Sequence, residues 1–304
     1  MSARLPGCPG SVGEGARPSV NGRIVVTGGT GTVGRQVARR LAAAGVAVRV
    51  VTRDPRRAAR AGVPGELVAA DFADRRRLAR ALAGADSVFV VTSDPRQPAH
   101  DENILGAALS GGVRHVVKLS ALAVADPAAD DLITRWQRSN EERLAAADLL
   151  STVLRPRAFM SNALEWAAGI RREGVVRTLY PDARNACVDP ADIAEVAVRV
   201  LTVPAFQGGT WALTGPEPLC AREQTEQLAR VLGRPLRCEE LTPEQACARW
   251  RASMPEPMVR ARLLSAERQR QGAKETVLDG VKAVTGRDPG TFARWAERHA
   301  GAFR

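Results

Sequence analysis

A glycine-rich segment near the start of the chain limits what the protein can fold into more than any other feature. Residues 28–34 read GGTGTVG, with a glycine at every third position, and they lie between an apolar run at 23–27 and a helix-forming stretch. Such a strand–loop–helix brings backbone amides and a helix N-terminus against a pyrophosphate. The segment therefore predicts a dinucleotide-binding unit. We expect the loop residues to contact the cofactor: Gly28, Thr30, Gly31, Thr32, Val33 and Gly34.

From residue 22 onward, short β-branched runs alternate with stretches rich in alanine, arginine and leucine. The pattern is typical of βαβ units that build a parallel sheet. The predicted strands are 23–27, 46–52, 67–70, 87–91, 113–120 and 151–154, and the predicted helices lie near 32–44, 55–62, 74–83, 98–110 and 130–147. Because these strands are almost wholly apolar, helices should cover both faces of the sheet. The sequence thus predicts an α/β fold with a doubly wound parallel Rossmann sheet.

The pattern changes after Pro156, where loops lengthen and helical stretches come to dominate. We interpret this part as a smaller, mainly helical C-terminal lobe that binds substrate at the carboxyl ends of the strands. The stretch 188–203 is an exception, because it reads as a strand followed by a helix from about Ala191 and so returns to the Rossmann layer. The predicted organisation is a disordered tail at 1–20, a Rossmann domain at 21–155 plus about 187–203, and a substrate lobe at 156–186 and 204–304.

The formal net charge of +11 raises the question of a nucleic-acid partner. Only Lys118, Lys274 and Lys282 among the 44 basic residues are lysines, and the arginine clusters lack the interleaved aromatic residues of a single-strand binder. We therefore expect no nucleic-acid binding. No apolar run is long enough to span a membrane, the N-terminal stretch lacks the apolar centre of a signal peptide, and the cysteines show no metal-binding spacing. The sequence predicts a cytoplasmic protein without a metal site and leaves its oligomeric state open.

The end of the second predicted strand indicates which dinucleotide is bound. An acidic residue there would favour the ribose hydroxyls of NAD, whereas an arginine favours the 2′-phosphate of NADP. This chain has Arg53 at that position, and Arg35 directly follows the last glycine of the loop. Asp54 is interpreted as a cap on the next helix, with Pro55 at the first helical position. The alternative is that both arginines are ordinary surface charges. We expect NADP(H).

Several motifs occur in order along the chain: TGGTGTVGRQVARRL, the pair Asp71-Phe72, HDENILGAALSGGVRHVVKLSA, LRPRAFMSN, VDPADIA and TFARWAERHAGAF. Together they resemble the NmrA-like branch of the atypical short-chain dehydrogenase/reductase superfamily over residues 22–304. The resemblance implies a Rossmann domain with a small C-terminal substrate lobe. It also implies that Asp71 and Phe72 lie against the adenine, and that Ser120, preceded by Leu119, ends a strand beside the nicotinamide. The residues implied on the ribose side are Val91, Thr92 and Ser93.

The chain departs from active short-chain dehydrogenases at the helix after Ser120, which usually carries Tyr-x-x-x-Lys. The only tyrosine is Tyr180, and no lysine lies between Lys118 and Lys274. Trp136 and Asn140 have the spacing of the missing pair. Reduction of a simple ketone gives a basic alkoxide that needs a proton donor, whereas reduction of a quinone or an extended conjugated system gives a delocalised anion. The loss of tyrosine therefore favours the second kind of substrate.

Three residues are candidates for catalysis. Ser120 is a hydrogen-bond donor at the strand end, with a loop-capping hydroxyl as the alternative. Lys118 points to the same face of the strand, although it equally suits a side chain that reaches past the sheet edge. Trp136 offers an indole N–H, and its spacing with Leu132 and Leu144 favours plain core packing. The candidates for substrate binding are Trp136, Gln137, Arg157, Phe159, Met160, Asn162 and Tyr180.

These features predict an NADPH-dependent reductase that transfers hydride to a conjugated, quinonoid or carbonyl small molecule, with a flat and conjugated substrate expected. The resemblance and the arginine- and alanine-rich composition place it in specialised metabolism. The family also contains redox-sensing regulators that bind dinucleotide without catalysis. A sensor of this kind is the first alternative, and an isomerase, dehydratase or epimerase that retains NADP is the second.

Overall fold

The computed structural model describes residues 22–304, so the predicted tail at 1–20 lies outside the described residues. Short runs of valine, isoleucine and leucine form a seven-stranded sheet in the order β3-β2-β1-β4-β5-β6-β8, and every pair in it is parallel. The strands are β1 (Arg23–Val26), β2 (Val48–Thr52), β3 (Glu66–Ala69), β4 (Ala85–Val90), β5 (His115–Leu119), β6 (Leu150–Pro156), β7 (Val175–Leu179), β8 (Thr210–Leu213) and β9 (Arg237–Leu241). The predicted doubly wound Rossmann sheet is confirmed.

Helices alternate with the strands in the first half of the chain and dominate the second half. They are α1 (Gly34–Ala43), α2 (Pro55–Arg60), α3 (Arg75–Leu82), α4 (Ala99–Ser110), α5 (Leu132–Ala145), α6 (Ala167–Glu173), α7 (Pro190–Thr202), α8 (Ala221–Leu232), α9 (Pro243–Arg251), α10 (Glu256–Arg270), α11 (Gly280–Thr285) and α12 (Phe292–His299). Aspartate side chains accept hydrogen bonds from first-turn amides of four of them, at Asp54, Asp74, Asp131 and Asp189. Such caps satisfy amides that have no partner inside the helix.

Both faces of the sheet are buried, as the apolar strands predicted. One face packs against α1 and α7 through residues such as Ile24, Phe89 and Val200. The other packs against α3, α4 and α5 through residues such as Val88 and Ile104. Since successive side chains of a strand point to opposite faces, β1 to β6 each supply both cores.

The last strand of the sheet corrects the sequence-based division of the chain. Strand β8 pairs with β6 in parallel, with Leu154 opposite Trp211, and α11 packs on both α7 and β8. The sequence analysis assigned both elements to the C-terminal lobe, because the run TWAL is too short to show a period. Val188, predicted as part of a strand, forms only an isolated bridge with Phe159. The predicted helix after Asp189 is present as α7.

The rest of the C-terminal half forms a separate apolar cluster. Phe292, Trp295 and Phe303 pack against Ile170 and neighbouring residues of α6, β7 and α8. Strands β7 and β9 form a two-stranded parallel sheet that the sequence analysis did not predict. Among the described helices, none is both long and apolar enough to cross a lipid bilayer.

Candidate functional site

The glycine loop between β1 and α1 is too tight for side chains at two of its positions. A Cβ atom at Gly34 would lie 2.4 Å from the carbonyl oxygen of Gly28, and one at Gly29 would lie 2.3 Å from Cγ1 of Val50. Gly28 itself has φ +61°, in the left-handed region. No side chain caps α1, although the amides of Arg35 and Gln36 already donate to the carbonyl oxygens of Gly31 and Val33. This cradle fits the pyrophosphate of a dinucleotide.

Two arginines stand beside the loop. Arg35 is half-buried, and its Nε is buried without a hydrogen-bond partner among the described residues. Arg53 is exposed at the end of β2. Asp54 points away from a ligand at this edge, because its Oδ1 accepts the backbone N–H of Arg57 at 2.9 Å and caps α2. Both guanidinium groups can therefore take a phosphate, which fits NADP(H).

The Arg53→Ala variant tests this cofactor preference. We expect NADPH affinity to fall about 10- to 100-fold, since a charge-assisted pair with a phosphate contributes about 1.5–3 kcal/mol. NADH affinity should change little because NADH lacks the 2′-phosphate. The measurement is the dissociation constant of each cofactor by fluorescence titration, with the exposed Arg60→Ala on α2 as the control. Equal losses for both cofactors would show that Arg53 does not contact the phosphate.

The residues predicted beside the adenine and ribose lie at the carboxyl ends of β3 and β4. Asp71 is exposed, and its Oδ1 accepts the N–H of Ala73 at 2.8 Å. Phe72 is half-buried with its ring edge-on to His100. Val91 lies next to the glycine loop, where a Cβ on Gly28 would come within 3.0 Å of its side chain. Thr92 and Ser93 follow Val91, so these predicted residues share one edge of the sheet.

Ser120 follows β5 and opens onto a cavity, while Leu119 packs into the core on the α7 side of the sheet. The Ser120 hydroxyl donates to Oε1 of Glu141 on α5. Arg155 neutralises that carboxylate, with its Nε 3.1 Å from each oxygen. The strand end thus carries a hydroxyl backed by a paired carboxylate.

Lys118 and Trp136 belong to a buried polar cluster under the sheet edge. The Lys118 Nζ lies 3.2 Å from Oδ1 of Asp101 and 3.2 Å from the hydroxyl of Thr92. The Trp136 indole N–H donates to the other carboxylate oxygen of Asp101 at 3.1 Å. Burial lowers the pKa of Lys118, and Asp101 opposes that shift. Neither Lys118 nor Trp136 lines the large cavity, so the structure does not bring them to the substrate candidates.

A cavity of about 650 Å³ lies between the ends of β5 and β6 and the helices of the C-terminal half. It brings together the other candidates for substrate binding: Gln137, Arg157, Phe159, Met160, Asn162 and Tyr180. Several further lining residues were not predicted from the sequence: Trp166, Trp250, Met254, Met258 and Lys274. The four-residue spacing of Trp250, Met254 and Met258 is typical of one face of a helix and could have indicated these residues, but Pro255 interrupts the helical pattern.

The inward face of α5 differs from the one inferred from the sequence. Ile133 and Gln137 line the cavity, with Thr134 beside them, whereas Trp136 points to Asp101. The helix positions with the Tyr-x-x-x-Lys spacing that face the cavity are therefore Ile133 and Gln137. Gln137 is 6% exposed, and its Oε1 has no hydrogen-bond partner among the described residues. No phenol or ammonium group lies on this face of α5.

Two cations and a thiol also line the cavity. The Lys274 ammonium donates to Oγ of Ser265 at 2.7 Å, and Arg157 follows the end of β6. Burial lowers the pKa of Lys274 to about 8, and the Arg157 charge adds to the shift. Burial also raises the pKa of Cys187 to about 11, so its thiol is neutral near pH 7. Within residues 22–304, no cluster of three side chains suits a metal ion.

Comparison with known proteins agrees with this geometry. Residues 28–204 match the NAD(P)H-binding family. The chain is 52% identical over 280 residues to the (4-alkanoyl-5-oxo-2,5-dihydrofuran-3-yl)methyl phosphate reductase of Streptomyces griseus, covering 92% of this chain and 99% of that protein. It is 35% identical to the NAD(P)H azoreductase of Xenophilus azovorans, covering 92% and 99% of the two chains.

A solved structure supports the same fold. The NADPH complex of the Escherichia coli NADPH-dependent quinone oxidoreductase superposes with a TM-score of 0.80 at 23% identity, covering 90% of this chain and 99% of that one. The same family assignment follows from the glycine cradle, the parallel strand order and the family match. This chain belongs to the NAD(P)H-binding, NmrA-like branch of the atypical short-chain dehydrogenases/reductases and is an NAD(P)-dependent oxidoreductase.

Proposed function

We propose that the protein is an NADPH-dependent reductase whose substrate is a flat, conjugated carbonyl compound of specialised metabolism, an acyl-substituted unsaturated lactone like the one named for the Streptomyces griseus relative. The observation that carries this proposal is the cavity at the end of β5, where Ser120, Ile133 and Gln137 stand and the usual tyrosine and lysine do not. A cavity of about 650 Å³ also suits a small molecule with an alkyl chain.

The chemistry of such a lactone suits a site without a strong acid. Its ring double bond is conjugated with both the lactone carbonyl and the alkanoyl carbonyl. NADPH supplies a hydride when bound at the glycine cradle. A substrate that accepts hydride at the ring carbon bearing the phosphomethyl group carries its negative charge over two carbonyl oxygens. The resulting enolate takes its proton from water at the neighbouring ring carbon, so the protein needs only to hold and polarise it.

The residues at the strand ends provide that stabilisation. Because Arg155 already neutralises Glu141, Ser120 can turn its hydroxyl proton toward a substrate oxygen without leaving a carboxylate unpaired. Gln137 adds an amide that has both a donor and an acceptor, and its acceptor has no partner within the described chain. Phe159, Met160 and Trp166 form apolar walls for the ring and the alkyl chain.

A substrate panel tests the proposal. NADPH oxidation should be followed with the acylated lactone phosphate, a small quinone and a simple ketone. We expect kcat/KM for both conjugated substrates to exceed that for the ketone by about 10²-fold, because only the ketone needs the missing acid. Deuterium from labelled NADPH should appear at the ring carbon that bears the phosphomethyl group.

Three outcomes would contradict the proposal. Preference for the simple ketone would show that a proton donor operates in the cavity. Tight NADP⁺ binding without turnover of any panel member would favour the sensor that the sequence analysis left as its first alternative. A redox-neutral conversion of a bound substrate would favour the second alternative, an isomerase, dehydratase or epimerase. The predicted cytoplasmic location is untouched by these assays and stays a prediction.

Ser120 and Tyr180 are expected to differ in their effect on turnover. Ser120→Ala should lower kcat about 10²-fold, the loss expected for one donor to a developing oxyanion. Tyr180→Phe should cost less than about tenfold, because burial and a hydrogen bond with Glu267 raise the pKa of this phenol and Arg270 lies over its ring. Turnover of both variants on the quinone and the ketone between about pH 6 and 9 checks this. A large Tyr180→Phe loss confined to the ketone would restore a tyrosine acid.

A further inference from the structure

Arg157 and Lys274 line the cavity without an acidic partner. Neither side chain forms an ion pair with any carboxylate of residues 22–304. Arg157 makes one long contact, 3.5 Å from its Nη1 to the carbonyl oxygen of Ala273, and its Nε is buried without a partner in the described chain. The Lys274 ammonium is held only by Oγ of Ser265. Two half-buried cations beside each other are costly unless an anion joins them.

The neighbouring groups supply that anion only in part, through the attraction of Asp131 for Lys274. Asp131, which faces Lys274, already accepts from the amides of Ile133 and Thr134 and from the Thr134 hydroxyl. Cys187 stays protonated because burial raises the pKa of its thiol. Other cations near the cavity differ, since Arg262 pairs with Glu165 and Arg155 pairs with Glu141. The positive charge of Arg157 and Lys274 therefore points into the cavity, and Asp131 offsets only part of it.

We propose that Arg157 and Lys274 form an anion subsite that binds a phosphate monoester on the substrate. This inference rests on the proposed function, because it places a charged group on the molecule that is reduced. Arginine recognises phosphate through two parallel hydrogen bonds, and lysine adds a mobile point charge. Ser265 orients the Lys274 ammonium, so it is a positioning residue.

The position of the subsite agrees with the reaction. Leu119 pairs with Leu154 across β5 and β6, so Arg157 lies one strand over from Ser120 and two residues further along. Adjacent strands are about 4.8 Å apart and each residue adds about 3.3 Å. In the lactone named for the relative, one methylene and one oxygen join the phosphorus to the ring carbon that accepts hydride. A phosphate at Arg157 thus leaves the ring within reach of Ser120.

The test compares a phosphate ester with its free alcohol. For the wild-type protein, we expect kcat/KM for the acylated lactone phosphate to exceed that for the dephosphorylated lactone by about 10²-fold or more, the sum of two charge-assisted contacts. In Lys274→Met and in Arg157→Met, that ratio should fall at least tenfold. Damage to the fold would lower both values and leave the ratio unchanged. Lys282→Met, on an exposed lysine paired with Asp288, is the matched control that keeps the ratio.

Binding gives a second readout that needs no turnover. Calorimetric titration of the phosphate ester into the NADP⁺ complex should show affinity falling as pH rises from about 7 to 9, because Lys274 loses its proton near pH 8. A bound anion raises the pKa of the ammonium, so below about pH 8, where Lys274 already carries its proton, binding takes up almost none, whereas above that pH binding must take up a proton and weakens. A phosphate monoester remains doubly charged over this range, since its second pKa is about 6. The groups that face Lys274 are Arg157, Cys187, Asp131 and Arg268, the last paired with Asp126.

The outcomes separate this inference from the proposed function. Equal kcat/KM for ester and alcohol, with pH-independent affinity, would overturn the anion subsite while leaving the reductase intact. A ratio that survives both Arg157→Met and Lys274→Met would do the same. Failure of the wild-type protein to reduce the quinone and both lactones would instead overturn the proposed function.

Discussion

Replacing Asp101 with alanine is expected to lower the free energy of unfolding by about 3–5 kcal/mol, the cost of leaving a buried charge without its partner. The carboxylate accepts hydrogen bonds from Thr92 and Trp136 and pairs with Lys118, whose side chain is 4% exposed. Its removal leaves the Lys118 ammonium without a counterion and the Trp136 indole N–H without an acceptor. Urea unfolding followed by circular dichroism measures the change.

The next residue along α4 is the matched control. Glu102 pairs with Arg143 at 2.9 Å, and both side chains are about 40% exposed, so Glu102→Ala should cost less than about 1 kcal/mol. Adding Lys118→Met to Asp101→Ala should recover part of the stability, because no charge is then buried alone. Similar losses for Asp101→Ala and Glu102→Ala would show that the buried pair does not stabilise the fold.

The Gly34→Ala variant should weaken NADPH binding by about 10²-fold or more. The new Cβ would lie 2.4 Å from the Gly28 carbonyl oxygen and 2.8 Å from the Gly28 carbonyl carbon, and backbone cannot give way as a flexible side chain can. The loop must open, which removes two or more amide contacts worth about 1.5–3 kcal/mol each to a charged phosphate. The dissociation constant by fluorescence titration reports the loss.

Gly106→Ala in α4 is the control for that variant. Nothing lies within 4 Å of a Cβ at Gly106, and alanine in a helix is more stable than glycine by about 0.5–1 kcal/mol. The melting temperature should therefore rise slightly while NADPH affinity stays at the wild-type value. Wild-type affinity in folded Gly34→Ala would mean that the glycine loop does not shape the pyrophosphate site.

Local patterns predicted most of the Rossmann sheet. The stretch predicted as a strand at 23–27 forms β1, and the one predicted at 151–154 lies inside β6, because a short run rich in apolar residues is a local signal. Strand 113–120 was predicted too long by residues at both ends. The pairing of β7 with β9 escaped prediction because its partners are some 60 residues apart, as with Val175 and Arg237, and nothing local encodes such pairing.

Part of the candidate site could be predicted from the sequence and part could not. The glycine motif and the family resemblance predicted Gly28, Val91 and Ser120 as cofactor contacts, and the structure places all three at the carboxyl ends of β1, β4 and β5; their contact with the cofactor stays a prediction. The sequence could not predict which side of α5 faces the cavity, because Ile133–Gln137 and Trp136–Asn140 have the same four-residue spacing. Asp101 decides between them, since it holds the Trp136 indole under the sheet. Lys274 lies in a loop without periodicity, and only the folded chain brings it to Arg157.

Strand β8 comes late in the chain, and this position matters during synthesis on the ribosome. The open edge of β6 stays without its neighbour while a ribosome adds the residues up to Thr210, and α11 emerges later still. A bare strand edge is a template for wrong pairing with another chain. Until that part of the message has been translated, the nascent polypeptide carries this hazard. Premature termination before Thr210 would make the exposed edge permanent.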